Sequence, residues 1–191
     1  MISIYLAGKI QKAHETPNES YWGPRELAAL KAVLGEEVLL LNPSIRSDDL
    51  SDQKSVFGRD MVMVSCADAV FVDARERRGL GVGAEMMWAK VNRIPIVTLA
   101  PRGSHYHKGR TSLLDVEVAN WVHPFVENLS DKLVDTVEEG AAWLLERPDT
   151  IKGPEAIHEA MAYYRATQFE NDLPMQEHVA AYPTLLSPLS P

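Results

Sequence analysis

Residues 1–10 read MISIYLAGKI. The apolar run Ile2 to Leu6 gives way at Ala7-Gly8 to Lys9, with no second turn of apolar periodicity. That is the pattern of a short buried strand. In an open α/β sheet the chain leaves its strands at the edge where ligands bind. A small residue followed by glycine at that exit lets another group approach the backbone closely.

Working outward, strand and helix signals alternate, which predicts a parallel sheet covered by helices. YWGPRELAALKAVLG (21–35) places Pro24 in a first helical turn and Gly35 at a stop. EVLLL (37–41) reads as strand two, the polar NPSIRSDDLSDQ (42–53) as a loop and KSVFGRDMVMVSCADA (54–69) as a helix. AVFVDA (69–74) is strand three, GLGVGAEMMWAKVN (79–92) a glycine-rich loop entering a helix, and IPIVTLAP (94–101) strand four. RGSHYHKGRT (102–111) reads as a basic, flexible loop, SLLDVEVANWV (112–122) as a helix and PFVENL (124–129) as a short fifth strand. SDKLVDTVEEGAAWLLER (130–147) has the pattern of one amphipathic helix, capped by Ser130 and ended by Pro148. PEAIHEAMAYYRATQFE (154–170) is a last helical pattern before a Pro-rich tail. The expectation is an α/β, Rossmann-like (flavodoxin-like) fold. It has a parallel five-stranded sheet over 1–147, helices on both faces, and a C-terminal helical appendage over 148–191.

Composition narrows the function. The chain has 191 residues, 46% hydrophobic, enough for a full core. A net charge of -8 argues against a binder of polymeric nucleic acid, which needs a basic surface, but leaves room for a small anion held by local donors. No apolar run reaches membrane-spanning length, and no signal-peptide pattern precedes the first strand. The single cysteine, Cys66, suits a reducing cytoplasm. No Cys/His cluster has metal-ligand spacing, so neither metal nor cofactor is expected.

Three elements converge if this topology holds: the end of strand one around Tyr5, Asp60 on the helix before strand three, and Glu85 behind GLGVG. A dinucleotide loop would follow strand one and place its acid after strand two. Here the glycines Gly79, Gly81 and Gly83 follow strand three, and their helix carries its own carboxylate. A carboxylate competes with phosphate for a helix N-terminus and favours a partly cationic reacting group, such as a sugar carbon losing its substituent. Taken singly, each residue has a plainer reading: Glu85 as a first-turn acid facing the helix dipole, Asp60 as an exposed helix acid, Tyr5 as a core aromatic.

The ordered set IYLAGKI, GRDMVMVSCADAVFVDA, LGVGAE and IPIVTLA resembles the nucleoside 2-deoxyribosyltransferase superfamily, most closely its branch of (2′-deoxy)nucleoside 5′-monophosphate N-glycoside hydrolases. The resemblance spans roughly 1–145, with LGVGAE its most specific part. It implies that Glu85 is the nucleophile that attacks the anomeric carbon, that Asp60 protonates the departing base, and that Tyr5 orients sugar and nucleophile. Protonation eases the loss of a base that leaves poorly as an anion, and a carboxylate beside an oxocarbenium-like centre can close a covalent bond.

The sequence departs from both branches of that family. Free-nucleoside transferases carry an acid six positions before the nucleophile, where this chain has Gly79, and its loss removes repulsion against a 5′-phosphate. The monophosphate hydrolases usually show serines there and after the first strand, where this chain has Gly79 and Lys9. Lys9 replaces hydroxyl donors with a charge, and the backbone of Ala7, Gly8, Lys9 and Ile10 supplies an anion nest. The segment after strand four, with His105, His107, Lys108, Arg110, Thr111 and Ser112, is basic, and in the family it reaches into a neighbouring subunit. A homodimer with shared sites follows from the resemblance. The leading expectation is hydrolysis of a nucleoside 5′-monophosphate. Base exchange between nucleosides and a non-catalytic nucleotide sensor are the alternatives.

Overall fold

The computed structural model describes residues 1–10, 22–146 and 151–183. Two compact units divide the chain, Met1–Lys152 and Gly153–Pro191.

The first unit is built on five parallel strands, β1 (Ser3–Ala7), β2 (Leu39–Leu41), β3 (Ala69–Asp73), β4 (Ile96–Leu99) and β7 (Lys132–Val134), in the order β2-β1-β3-β4-β7. This is the Rossmann-like arrangement expected from the alternation, and its order reverses between β1 and β3, where such sheets bind ligands. Residues of β1, β3 and β4 are almost all apolar because the sheet is covered on both faces. Alternation sorts them. Ile4, Leu6, Ala69 and Phe71 pack with Leu30 of α1 (Pro24–Leu34) and with Val137, Ala141 and Leu144 of α5 (Val137–Glu146). Tyr5, Ala7, Val70 and Val72 pack on the other face with Val64 of α2 (Gln53–Ser65) and with Val82, Met86 and Ala89 of α3 (Leu80–Val91). Strand parity therefore sends the Tyr5 side chain toward α2 and α3.

Local chemistry fixes the helix ends. Pro24 opens α1, and Gly35 closes it at φ 88°, a conformation that costs glycine little. The Asp52 side chain caps α2 by accepting the Ser55 N–H at 3.1 Å. Ahead of α5, Thr136 and Glu139 form a reciprocal capping box: Glu139 N–H donates to Thr136 Oγ1 (3.1 Å), and Thr136 N–H donates to Glu139 Oε2 (3.2 Å). Lys90 is fully buried and donates to Asp131 Oδ1 at 2.9 Å, while Asp131 Oδ2 accepts the Ile96 N–H at 2.7 Å, tying α3 to the β4–β7 edge.

The segment after β4 departs from expectation. The stretch 102–122 is an antiparallel hairpin, β5 (His107–Leu113) and β6 (Val116–Val122), in place of a loop and a helix. Its turn residues Leu114 and Asp115 sit at φ 48° and 66°. Left-handed turns of this kind are normally announced by Asn-Gly or Asp-Gly, so the usual hairpin signal is missing here. PFVENL is helix α4 (Pro124–Leu129), with Pro124 at its first position, where no backbone N–H is needed. The fifth strand of the sheet comes instead from Lys132–Val134, inside the stretch expected to be one long helix. Ser130 accordingly caps nothing at its N-terminal side: it is buried, donates to Val126 O at 2.6 Å and lies 2.7 Å from Thr98 Oγ1. Pro148 and the Pro-rich tail beyond 183 fall outside the described residues.

The second unit consists of α6 (Glu155–Thr167), a 3₁₀ turn (Phe169–Asn171) and α7 (Leu173–Ala181). Asp172 joins them, accepting the Tyr164 hydroxyl at 2.7 Å and the Met175 N–H at 3.2 Å. Neither helix buries a residue fully.

Candidate active site

Tyr5 and Glu85, far apart in sequence, meet beneath the sheet edge. The Tyr5 hydroxyl donates to Glu85 Oε1 at 2.9 Å, and both side chains are buried, Glu85 with 8% of its surface exposed. Parity of β1 supplies the tyrosine, and the second turn of α3 supplies the carboxylate. Glu85 is thus no first-turn acid on the helix dipole. Among the described residues, its second oxygen, Oε2, is buried with no hydrogen-bond partner. Burial pushes the Glu85 carboxyl up to about 7; the Tyr5 hydroxyl pulls the other way, and the Asp60 charge raises it further. The Tyr5 phenol is pushed well above its ordinary range, by burial first and then by Glu85.

Asp60, on α2, belongs to the same electrostatic group, because its charge acts on both Tyr5 and Glu85. Burial raises its carboxyl, and Arg46 and Arg59 oppose that rise. Arg46 Nη1 lies 3.4 Å and Arg59 Nη1 3.5 Å from Asp60 Oδ1. Arg46 is itself forked onto Asp48, Nε to Oδ1 at 2.8 Å and Nη2 to Oδ2 at 2.5 Å, and that bond holds the Asp48 carboxyl down to about 2. Two arginines therefore balance two aspartates, while among the described residues no cation shifts Glu85. This network was not foreseen. Its sequence trace is only the alternating charge of IRSDD and GRD, which does not say that loop and helix meet.

The remaining expected residues divide among different surroundings. Gly81 lies beside the carboxylate, where a Cβ would stand 3.9 Å from Glu85 Oε1. Gly79 is the N-cap of α3, and Gly81 and Gly83 lie within the helix, not in a preceding loop. Gly79 and Gly83 line an apolar cavity of about 400 Å³ with Val72, Met86, Tyr106 and Phe125. At the exit of β1, Ala7 is buried and its carbonyl accepts the Trp22 Nε1–H at 3.0 Å. A Cβ on Gly8 would come within 3.1 Å of Trp22 Nε1, so the close approach made there is by the protein's own indole. Trp22 is a core residue, stacked edge-on against Phe71 at 5.0 Å, and Trp88 donates to Ser65 Oγ at 2.8 Å. Lys9 and Ile10 line a cleft of about 300 Å³ with Asn42, Pro43 and Ser44. Arg110, Thr111 and Ser112 stand on β5, paired with Ala119, Val118 and Glu117 of β6, in a sheet separate from the one that carries Tyr5. His107 Nδ1 lies 2.9 Å from Ala100 O, and Lys108 covers the Trp121 ring at 5.7 Å. Among the described residues no helix is long and apolar enough to cross a membrane.

Comparison with solved structures supports the fold. A conserved protein from Enterococcus faecalis V583 superposes with a TM-score of 0.57 at 16% identity, over 78% of this chain and 99% of that one. A 2-deoxyribosyltransferase from the psychrotolerant bacterium Bacillus psychrosaccharolyticus gives a TM-score of 0.48 at 15% identity, over 77% and 92%. The first shows a shared fold and no more, and the second is too distant in shape to add to it. No protein-family model and no curated protein matches the chain.

Proposed function

We propose that this chain is an N-glycosidase that hydrolyses the base–sugar bond of a nucleoside 5′-monophosphate, in its ribose or 2′-deoxy form, through a covalent ester on Glu85. The observation that carries the reading is a buried carboxylate with one oxygen held by the Tyr5 hydroxyl and the other, among the described residues, without a partner, within reach of the Asp60 charge. An anion so poorly compensated is costly in the ground state. It becomes favourable when positive charge develops on an anomeric carbon next to it, which is stabilisation given to the transition state and withheld from the ground state.

In the first step a Glu85 oxygen bonds to C1′ as the C1′–N bond breaks. The electron pair goes to the base, and Asp60 supplies the proton that lets the base leave neutral. Tyr5 holds the reacting carboxylate in one orientation. Water then attacks C1′ of the ester as its proton passes to the Asp60 carboxylate, breaking the C1′–Glu85 bond, releasing sugar phosphate and restoring both carboxyl groups. Lys9, with the backbone of Ala7, Gly8 and Ile10 and the neighbouring Asn42 and Ser44, is the proposed holder of the phosphate end. Gly79, Gly81 and Gly83 place no side chain at their own positions around the first turn of α3. Arg110, Thr111 and Ser112, on the hairpin, are proposed to act in a partner subunit's pocket within a homodimer.

The test is incubation with a panel of nucleoside 5′-monophosphates. The expected outcome is free base plus sugar phosphate, abolished by Glu85→Ala and by Glu85→Gln. Formation of a new nucleoside when a second base is added would point to base exchange instead. Tight binding of intact nucleotides without turnover would point to a sensor. Near-normal turnover in Glu85→Ala overturns the nucleophile assignment.

A further inference from the structure

We propose that Arg46 is a positioning residue that acts through Asp60, fixed by Asp48 so that its third nitrogen stabilises the Asp60 carboxylate as that carboxylate forms. The inference rests on the function proposed above and assigns a role to the loop 42–52, which the sequence marks only as polar.

Geometry separates Arg46 from an ordinary surface cation. Its side chain is 9% exposed, and Asp48 takes Nε and Nη2 in a planar fork, a strong and directional pairing. The guanidinium therefore cannot swing away, and Nη1 is left aimed at Asp60 Oδ1. At 3.4 Å that contact is longer than the roughly 2.7–2.9 Å of a charge-assisted hydrogen bond. The groups acting on Asp60 come from every neighbouring element. Arg46 and Asp48 lie on the loop and Arg59 on α2. Tyr5 of β1 and Glu85 of α3 feel its charge in return. Arg59 is committed elsewhere as well, donating Nη2 to Ile45 O at 2.8 Å, which pins the loop down.

When Asp60 passes its proton to the base, a full negative charge appears on its oxygens inside a partly buried site. Tightening of the Arg46 contact at that moment strengthens an interaction in the transition state that is weak before it. Arg46 touches no substrate atom in this scheme. Its effect is on how strong an acid Asp60 is and on the direction its proton faces.

The experiment follows the Asp60 carboxyl by ¹³C NMR across pH, in the full chain, for wild type, Arg46→Met, Arg46→Gln and Arg46→Lys, alongside kcat and KM for base release. In Arg46→Met the Asp60 midpoint is expected to rise by about one pH unit, as for a carboxylate losing one of two nearby cations. The kcat falls about tenfold, with KM little changed. Arg46→Lys is expected to recover at least half of the midpoint shift but less of the rate, because a single ammonium cannot hold the Asp48 fork and reach Asp60 together. If Arg46→Met does not fold, Arg46→Gln, shorter and polar but without the charge, carries the same expectation. An Asp60 midpoint equal to wild type in the uncharged variants, or a Lys variant no better than they are, overturns the proposal. Absence of base release by wild type instead defeats the enzymatic reading, and the NMR titration separates the two results.

Discussion

Replacing Tyr5 with Phe removes a hydroxyl and little else, so it measures what one hydrogen bond does to Glu85. The ring is fully buried and its oxygen donates to Glu85 Oε1 at 2.9 Å, the contact that pulls the Glu85 carboxyl down against burial. A hydrogen bond to a charged group contributes about 1.5–3 kcal/mol, which at about 1.4 kcal/mol per pH unit is roughly one to two units. The Glu85 midpoint is therefore expected to move from about 7 to about 8–9. At pH 7 the ionised fraction drops from about one half to between about one tenth and one hundredth, so turnover falls roughly 5- to 50-fold from ionisation alone. Two measurements check this. A ¹³C titration of Glu85 reads the midpoint directly, and the ratio of Tyr5→Phe to wild-type turnover must rise between pH 7 and pH 9. A midpoint unmoved by the substitution, or a wild-type midpoint near the ordinary 4.5, refutes the buried pair and the mechanism built on it.

Two further outcomes concern stability. Because the folded Glu85 midpoint lies above its unfolded value of 4.5, the folded state binds that proton more tightly. The contribution of Glu85 to stability is greatest below 4.5, declines as pH rises to about 7 and is level above that. Glu85→Gln is expected to be more stable than wild type by up to about 3 kcal/mol at pH 8 and no more stable at pH 4, read from denaturant midpoints; equal gains at both values refute the linkage. Gly140→Ala places a Cβ 2.2 Å from Phe71 Cζ, inside a closed core, and is expected to cost about 2 kcal/mol or more in denaturant unfolding; a change within about 0.5 kcal/mol refutes the packing at that face.

The parallel sheet was legible because its strands are continuous apolar runs separated by helical patterns, and covering both faces of a sheet demands that composition. The nearness of Tyr5 and Glu85 was legible from the strand-end topology and sharpened by the resemblance of ordered motifs, since neither residue alone departs from a core tyrosine or a helix acid. The segment 102–134 was misread for a physical reason. A Leu-Asp turn lacks the usual hairpin signal, and Ser130 with the apolar residues after it matches a helix start as well as a strand. The helix of 137–146 reveals its true beginning only in the Thr136–Glu139 capping box, which lies within the same apparent periodicity.

What the sequence determined by itself was the succession of continuous apolar runs and helical patterns. That succession marks which strands are buried, and the two-residue period of a strand puts Tyr5 and Ala7 on one face and Ile4 and Leu6 on the other. What the tertiary structure decided was charge. Whether Glu85 is an anion or an acid near neutral pH depends on how much water surrounds it, on the Tyr5 hydroxyl and on the Asp60 charge. Solvation and distance between residues remote in the chain are properties of the packed molecule, and no local pattern encodes them.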